Sequence, residues 1–191
     1  MAAGNDVQGL STAQVVVVCV LLVAVGGSLA YGVPALMNRR HATGAIDMLG
    51  KIAREASRNY VKPHADPATG NRAPCQFPQG KVRSTLAQSC CDESVRVPGT
   101  NLCDPAKIEW NRTLWQRLGR FQLRDPHPFI YEYEASGTFG DAKFTVSAYA
   151  DLDCDGIIST YRFVGTGDPN ARKDDCVLRT TPVFIQDNAG E

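Results

Sequence analysis

The densest chemistry in the chain is Asp151-Leu152-Asp153-Cys154-Asp155-Gly156. Alternate carboxylates bring hard oxygen ligands around one point, and the glycine allows the chain to turn sharply. That pattern suits calcium. A twelve-residue helix–loop–helix calcium loop would end in a bidentate glutamate. Arg162 stands at that position, which excludes that version of the site. The competing reading of Asp151, Asp153 and Asp155 is a turn in which each side chain accepts from its own backbone.

Cysteine is the other reactive residue. Cys75, Cys90, Cys91, Cys103, Cys154 and Cys176 make an even set of six in the polar part of the chain, and Cys19 sits in an apolar run. No Cys-x-x-Cys pair occurs, and His41, His64 and His127 are scattered, so a zinc site has little basis. Three disulfides outside the cytoplasm are the expectation. Cys90 and Cys91 are adjacent and are expected to pair outward with Cys75 and Cys103. Cys154 is expected to join Cys176 and close a C-terminal loop.

No nucleophile elbow, phosphate-binding loop or paired-histidine metalloprotease motif is present, so the chain reads as non-enzymatic. Glu132 and Glu134 share one face of a strand, which is the pattern of a solvated face. Lys plus Arg and Asp plus Glu are both 20. A neutral chain without a basic stripe gives no nucleic-acid signature.

The elements that must position these groups fall into two unlike halves. Between Asp6 and Arg39 there is no charge, and Val15–Val33 is nineteen uncharged, mostly apolar residues. That approaches the roughly 20 residues a helix needs to cross a bilayer. The preceding segment lacks the Lys or Arg of a secretory signal, so the run is read as a retained anchor. Arg39-Arg40 would favour a cytoplasmic location for the following residues, but the cysteines favour an extracytoplasmic one. The cysteines are given more weight.

Ala42, Ala45, Ile46, Leu49, Ile52, Ala53, Ala56 and Tyr60 continue at helical spacing, with Asp47, Lys51, Arg54, Glu55 and Arg58 on the other side. One long helix from about Ser11 to Val61 is expected, kinked at Pro34 and ended by Pro63. Residues 63–128 are rich in loops, with a helix start at Asp104-Pro105 whose buried side is Ile108, Leu114, Trp115 and Leu118. Phe129–Ala135, Ala142–Ala150, Ile157–Gly165 and Pro182–Gln186 alternate or run apolar as strands. The predicted fold is α+β, the long helix packed on a four-stranded antiparallel sheet with disulfide-tied loops.

This order of elements resembles type IV pilins and pseudopilins. The likeness is carried by Gly9-Leu10-Ser11-Thr12-Ala13-Gln14, Val33-Pro34-Ala35-Leu36-Met37, Ala45–Ala56 and Trp115–Thr160. Within the family, Trp115–Thr160 is closest to pilin-like proteins of deltaproteobacteria.

The resemblance implies a leader-like segment at 1–9, a long helix at 10–61 and a globular domain at 62–191. It implies cleavage after Gly9 by a prepilin peptidase, leaving Leu10 as the new terminus. The subunit would be held in the inner membrane by Val15–Val33, with its domain in the periplasm, and would then join other pilin subunits in a filament. Gln14 stands where the family has a glutamate, and it cannot neutralise a neighbour's terminal amine. Pro34 lies about three residues later than usual. Both point to a minor or accessory subunit. The alternative is an uncleaved, membrane-anchored periplasmic binding module, and a more distant one is a calcium-dependent adhesin.

Overall fold

A computed structural model describes residue 17 and residues 43–62, 74–172, 175–179 and 183–188. The chain divides into two units, Met1–Arg39 and Arg40–Glu191, and the second carries the fold described below. Among the described residues no helix is long and apolar enough to cross a membrane. The run 15–33, apart from Val17, lies outside them, as do Gly9, Leu10, Gln14 and Pro34.

Residues 43–61 form helix α1. Its buried positions are Ala45, Leu49, Ile52, Ala53, Ala56 and Tyr60, the stripe expected from the spacing, while Ile46 is half-buried. Asp47, Lys51, Arg54 and Arg58 are exposed on the other side. Such a helix owes most of its stability to the layer beneath its apolar face.

That layer is an antiparallel sheet of five strands in sequential order: β1 (Gly80–Arg83), β2 (Ile130–Ser136), β3 (Lys143–Ala150), β4 (Ser159–Thr166) and β5 (Val183–Asp187). Four of these match the expected strands to within two residues at each end. The fifth, β1, corrects the expected four. It is four residues long and sits in the loop-rich region, too short for alternation to stand out. Its register is nevertheless that of a half-buried edge. Val82 opposite Tyr133 is buried, while Lys81 bonds to Glu132 and Glu134 at 3.1 and 3.2 Å across the solvent face. Glu132 and Glu134 are thus engaged by cations of the neighbouring strand, Glu132 also by Arg83 at 3.7 Å.

The inner face is built by cross-strand register. Tyr133, Val146, Phe163 and Phe184 lie in one row, and Ala135, Phe144 and Gly165 in the next. Gly165 is required there, because a Cβ would lie 2.2 Å from the Phe144 ring. The helix reaches this face through an aromatic chain. Tyr60 stacks on Phe77 at 4.6 Å, and Phe77 meets Phe144 edge-on at 4.8 Å.

The helix expected from Asp104 is instead two pieces, a 3-10 turn at Pro105–Lys107 and a five-residue helix α2 at Thr113–Arg117. Asp104 does cap the first, accepting from the Ala106 N–H at 3.0 Å. The Ile108 N–H closes back on Pro105 O at 3.3 Å and Trp110 N–H on Ile108 O, which ends the turn before an α-helix can propagate. Ile108, Trp115 and Leu118 are still buried, and Trp110 packs edge-on to Trp115 at 5.6 Å. Both tryptophans are core packing residues.

Candidate functional site

The acidic loop lies between β3 and β4, where the Ala150–Ser159 pair closes the hairpin. One ligand oxygen from each of Asp151, Asp153 and Asp155 falls within 4.8 Å of the others. Three carboxylates at that spacing fit a hard divalent cation. The same oxygens also serve the backbone. Asp151 Oδ1 accepts from Asp155 N–H and its Oδ2 from Gly156 N–H, both at 3.1 Å. Asp153 Oδ1 accepts from Asp155 N–H at 3.3 Å, and Asp155 Oδ1 from Ile157 N–H at 2.7 Å. Asp151 is buried while Asp153 and Asp155 are exposed. Gly156 at φ +93° and Cys154 at φ +65° make the reversal.

Three disulfides are present, as expected, but only one pairing falls within expectation. Cys90 joins Cys103, Cys91 joins Cys154, and Cys75 joins Cys176. The expected Cys154–Cys176 bond is overturned by strand β4. Its eight residues, about 26 Å of extended chain at roughly 3.3 Å per residue, run between the two cysteines, which lie in the loops beyond its opposite ends. Each cysteine instead meets the loop at its own end of the sheet. Asn101 Nδ2 donates to Leu152 O at 3.1 Å beside Cys91–Cys154, and Phe139 N–H donates to Cys75 O at 2.7 Å beside Cys75–Cys176. Cys91 therefore ties the acidic loop to the loop region 84–104, and the acidic site is anchored from both flanks.

A second feature carries no sequence motif. Two adjoining cavities, of about 460 and 250 Å³, lie between α1 and the segment 118–131, and share Met48 and Leu123. The larger is rimmed by Lys51, Arg54, Arg58 and Arg120 against one carboxylate, Glu55, with Leu118 and Phe121 at its floor. Arg120 follows Gly119, and both have positive φ, +56° and +76°. Gly119 is needed at that turn, because a Cβ would meet Glu55 Cγ at 2.8 Å. An arginine in left-handed backbone is uncommon and marks a conformation imposed by the turn that ends α2. Asn59 clamps the two sides, donating to Glu55 O at 2.8 Å and Arg117 O at 3.2 Å.

The smaller cavity is lined by Gly44, Pro126, Pro128, Phe129, Tyr131 and His127. His127 is 8% exposed, and neither ring nitrogen has a hydrogen-bond partner among the described residues. Burial pushes the imidazole down to about 4, and the neighbouring Asp125 backbone acts in the opposite direction. The ring is therefore neutral at pH 7. Sequence reasoning missed these cavities because their residues come from α1 and from a loop some seventy positions later. The stretch Arg117–Arg124, with its three arginines, was the one available signal.

No family model, no curated protein and no solved structure matches this chain.

Proposed function

We propose that this chain is a filament subunit, minor or accessory, of a type IV pilus or type II-secretion-like pseudopilus. It performs no catalysis. The observation that supports the reading best is the division of α1: one apolar stripe is buried on the sheet, and the other side is polar and exposed. In the sequence an uncharged run at 15–33 precedes that helix. A subunit so built keeps its domain outside the bilayer while the run stays in lipid. On assembly, the apolar runs exchange lipid for one another's surfaces. Gly26, Gly27 and Ser28 favour that exchange by close packing. Prepilin peptidase cuts after Gly9, and the sheet and disulfide-tied loops face outward to meet other subunits. Calcium, when bound, would be held by Asp151, Asp153 and Asp155 and would stiffen the loop that Cys91–Cys154 anchors.

The test is the mature N-terminus, read by mass spectrometry of protein from its native membrane. Leu10 is expected. Met1 or Ala2 would sink the processed-subunit reading and leave a tethered periplasmic binding module, which the two cavities beside α1 favour. Sheared surface filaments containing this chain would separate the two independently.

A further inference from the structure

We propose that the paired cavities beside α1 form one binding site for an acidic phospholipid. The phosphate head sits among Lys51, Arg54 and Arg120. The start of an acyl chain crosses Met48 and Leu123 into the pocket of Phe129 and Tyr131.

Charge and shape divide the site in the order an anionic amphiphile requires. Four cations to one carboxylate surround the larger cavity. Glu55 is already engaged by Arg58, which leaves Lys51, Arg54 and Arg120 as the cations to receive an anion. Guanidinium forks match phosphate geometry in a way a solvated lysine face does not. Beneath those cations the surface is apolar, with Leu118 and Phe121 buried. A merely solvated charged face would need no such floor. The adjoining cavity continues the apolar surface through Pro126, Phe129 and Tyr131, with the oppositely charged Arg124 and Asp125 at its exposed edge and the neutral His127 buried in its lining. A neutral imidazole can accept from or donate to a glycerol or ester group without adding charge to the apolar end. The larger volume is within the range of about 300–1,000 Å³ usual for small-molecule sites, and the smaller adjoins it. Basic side chains clustered on an amphipathic helix attract anionic headgroups.

The inference takes the lipid source from the reading of residues 15–33 as membrane-held, but needs neither cleavage at Gly9 nor a filament. The full chain is held in maltoside micelles and titrated with phosphatidylglycerol or phosphatidylcholine carrying brominated acyl chains. The readout is tryptophan fluorescence. The chain has two tryptophans, and the Trp110 ring lies 5.4 Å from Phe121 and 6.0 Å from His127, so bromine in the groove quenches it. Half-quenching is expected at least tenfold lower in phosphatidylglycerol than in phosphatidylcholine.

Arg54→Glu with Arg120→Glu should erase that difference. Gly44→Phe, at a position where an added Cβ meets nothing within 4 Å, should reduce quenching by both lipids. Unchanged thermal unfolding shows that these variants fold. Millimolar inorganic phosphate should not displace the lipid. Equal quenching by both lipids, an unchanged preference in the arginine variant, or full displacement by phosphate alone would each overturn the proposal. Selective quenching by a chain whose mature terminus is Met1 would uphold it while the filament reading fails.

Discussion

The Tyr60 hydroxyl donates a hydrogen bond at 2.9 Å to the backbone carbonyl of Phe139, 79 residues later in the chain. This bond ties the end of α1 to the turn between β2 and β3. The position is crowded: Gly167, beyond β4, would place a Cβ 2.1 Å from Phe139 O and 2.5 Å from Tyr60 Oη. Helix, hairpin and the segment after β4 thus converge on one oxygen. Tyr60→Phe removes the donor and should cost about 1 kcal/mol in urea unfolding. Tyr60→Ala also removes the ring that stacks on Phe77 and should cost about 3–5 kcal/mol. Equal losses in the two variants would show that the hydroxyl, not the ring, dominates.

Burial raises the hydroxyl pKa of Tyr60, Tyr131 and Tyr133, with the nearby Asp168 adding to the effect at Tyr60. In the unfolded chain these groups ionise near pH 10. Their contribution is whole below that pH and is lost as the pH climbs towards the raised folded values. Tyrosinate absorbance from these three residues should therefore rise in step with unfolding above pH 10 rather than ahead of it.

The three disulfides should differ in weight. Cys75–Cys176 spans 101 residues and Cys90–Cys103 only 13. On chain entropy alone the first is worth about 4.7 kcal/mol and the second about 3 kcal/mol. Serine at both Cys75 and Cys176 should lower the urea midpoint more than serine at both Cys90 and Cys103. Unreduced peptide mapping should recover Cys91 linked to Cys154.

At the acid end the group to watch is His127. Its folded pKa is lowered to about 4, against a normal value of 6.5. A depressed base contributes stability that is whole above 6.5 and is lost as pH falls through 4, where the unfolded chain has already taken the proton. The full loss is about 3 kcal/mol. Unfolding midpoints measured from pH 7 to pH 4 should fall more steeply in the native chain than in His127→Phe. Parallel curves would assign the acid loss to other groups.

In the acidic loop Asp151 is the residue whose loss should be felt without any metal. It is buried and holds two backbone N–H groups, so Asp151→Ala should cost about 2–3 kcal/mol even in chelator. Calcium, when bound, would add the exposed Asp153 and Asp155 to Asp151 as ligands. One equivalent should raise the melting temperature of the native chain and leave Asp153→Asn with Asp155→Asn unmoved. A native melting curve indifferent to both calcium and chelator would reduce the motif to a self-capped turn.

The sequence by itself determined the buried stripe of α1, four of the five strands and the number of disulfides. The stripe and the strands depend on local periodicity, about 3.6 residues for Ala45–Tyr60 and two for the strands, and the disulfide number on the even count of six cysteines. It also marked Asp151, Asp153 and Asp155, since neighbours in one loop remain neighbours in space.

Only the tertiary structure decided which cysteines meet. The length of β4 carries Cys154 and Cys176 to opposite ends of the sheet, and pairing follows from the register of the whole sheet rather than from proximity in the chain. It added β1, a strand too short to announce itself, which earns its place by pairing with β2. It also joined Lys51 and Arg54 to Arg120, and Met48 to Leu123, across some seventy residues. No periodicity encodes such a groove, because it exists only where a helix and a distant loop are pressed against the same sheet.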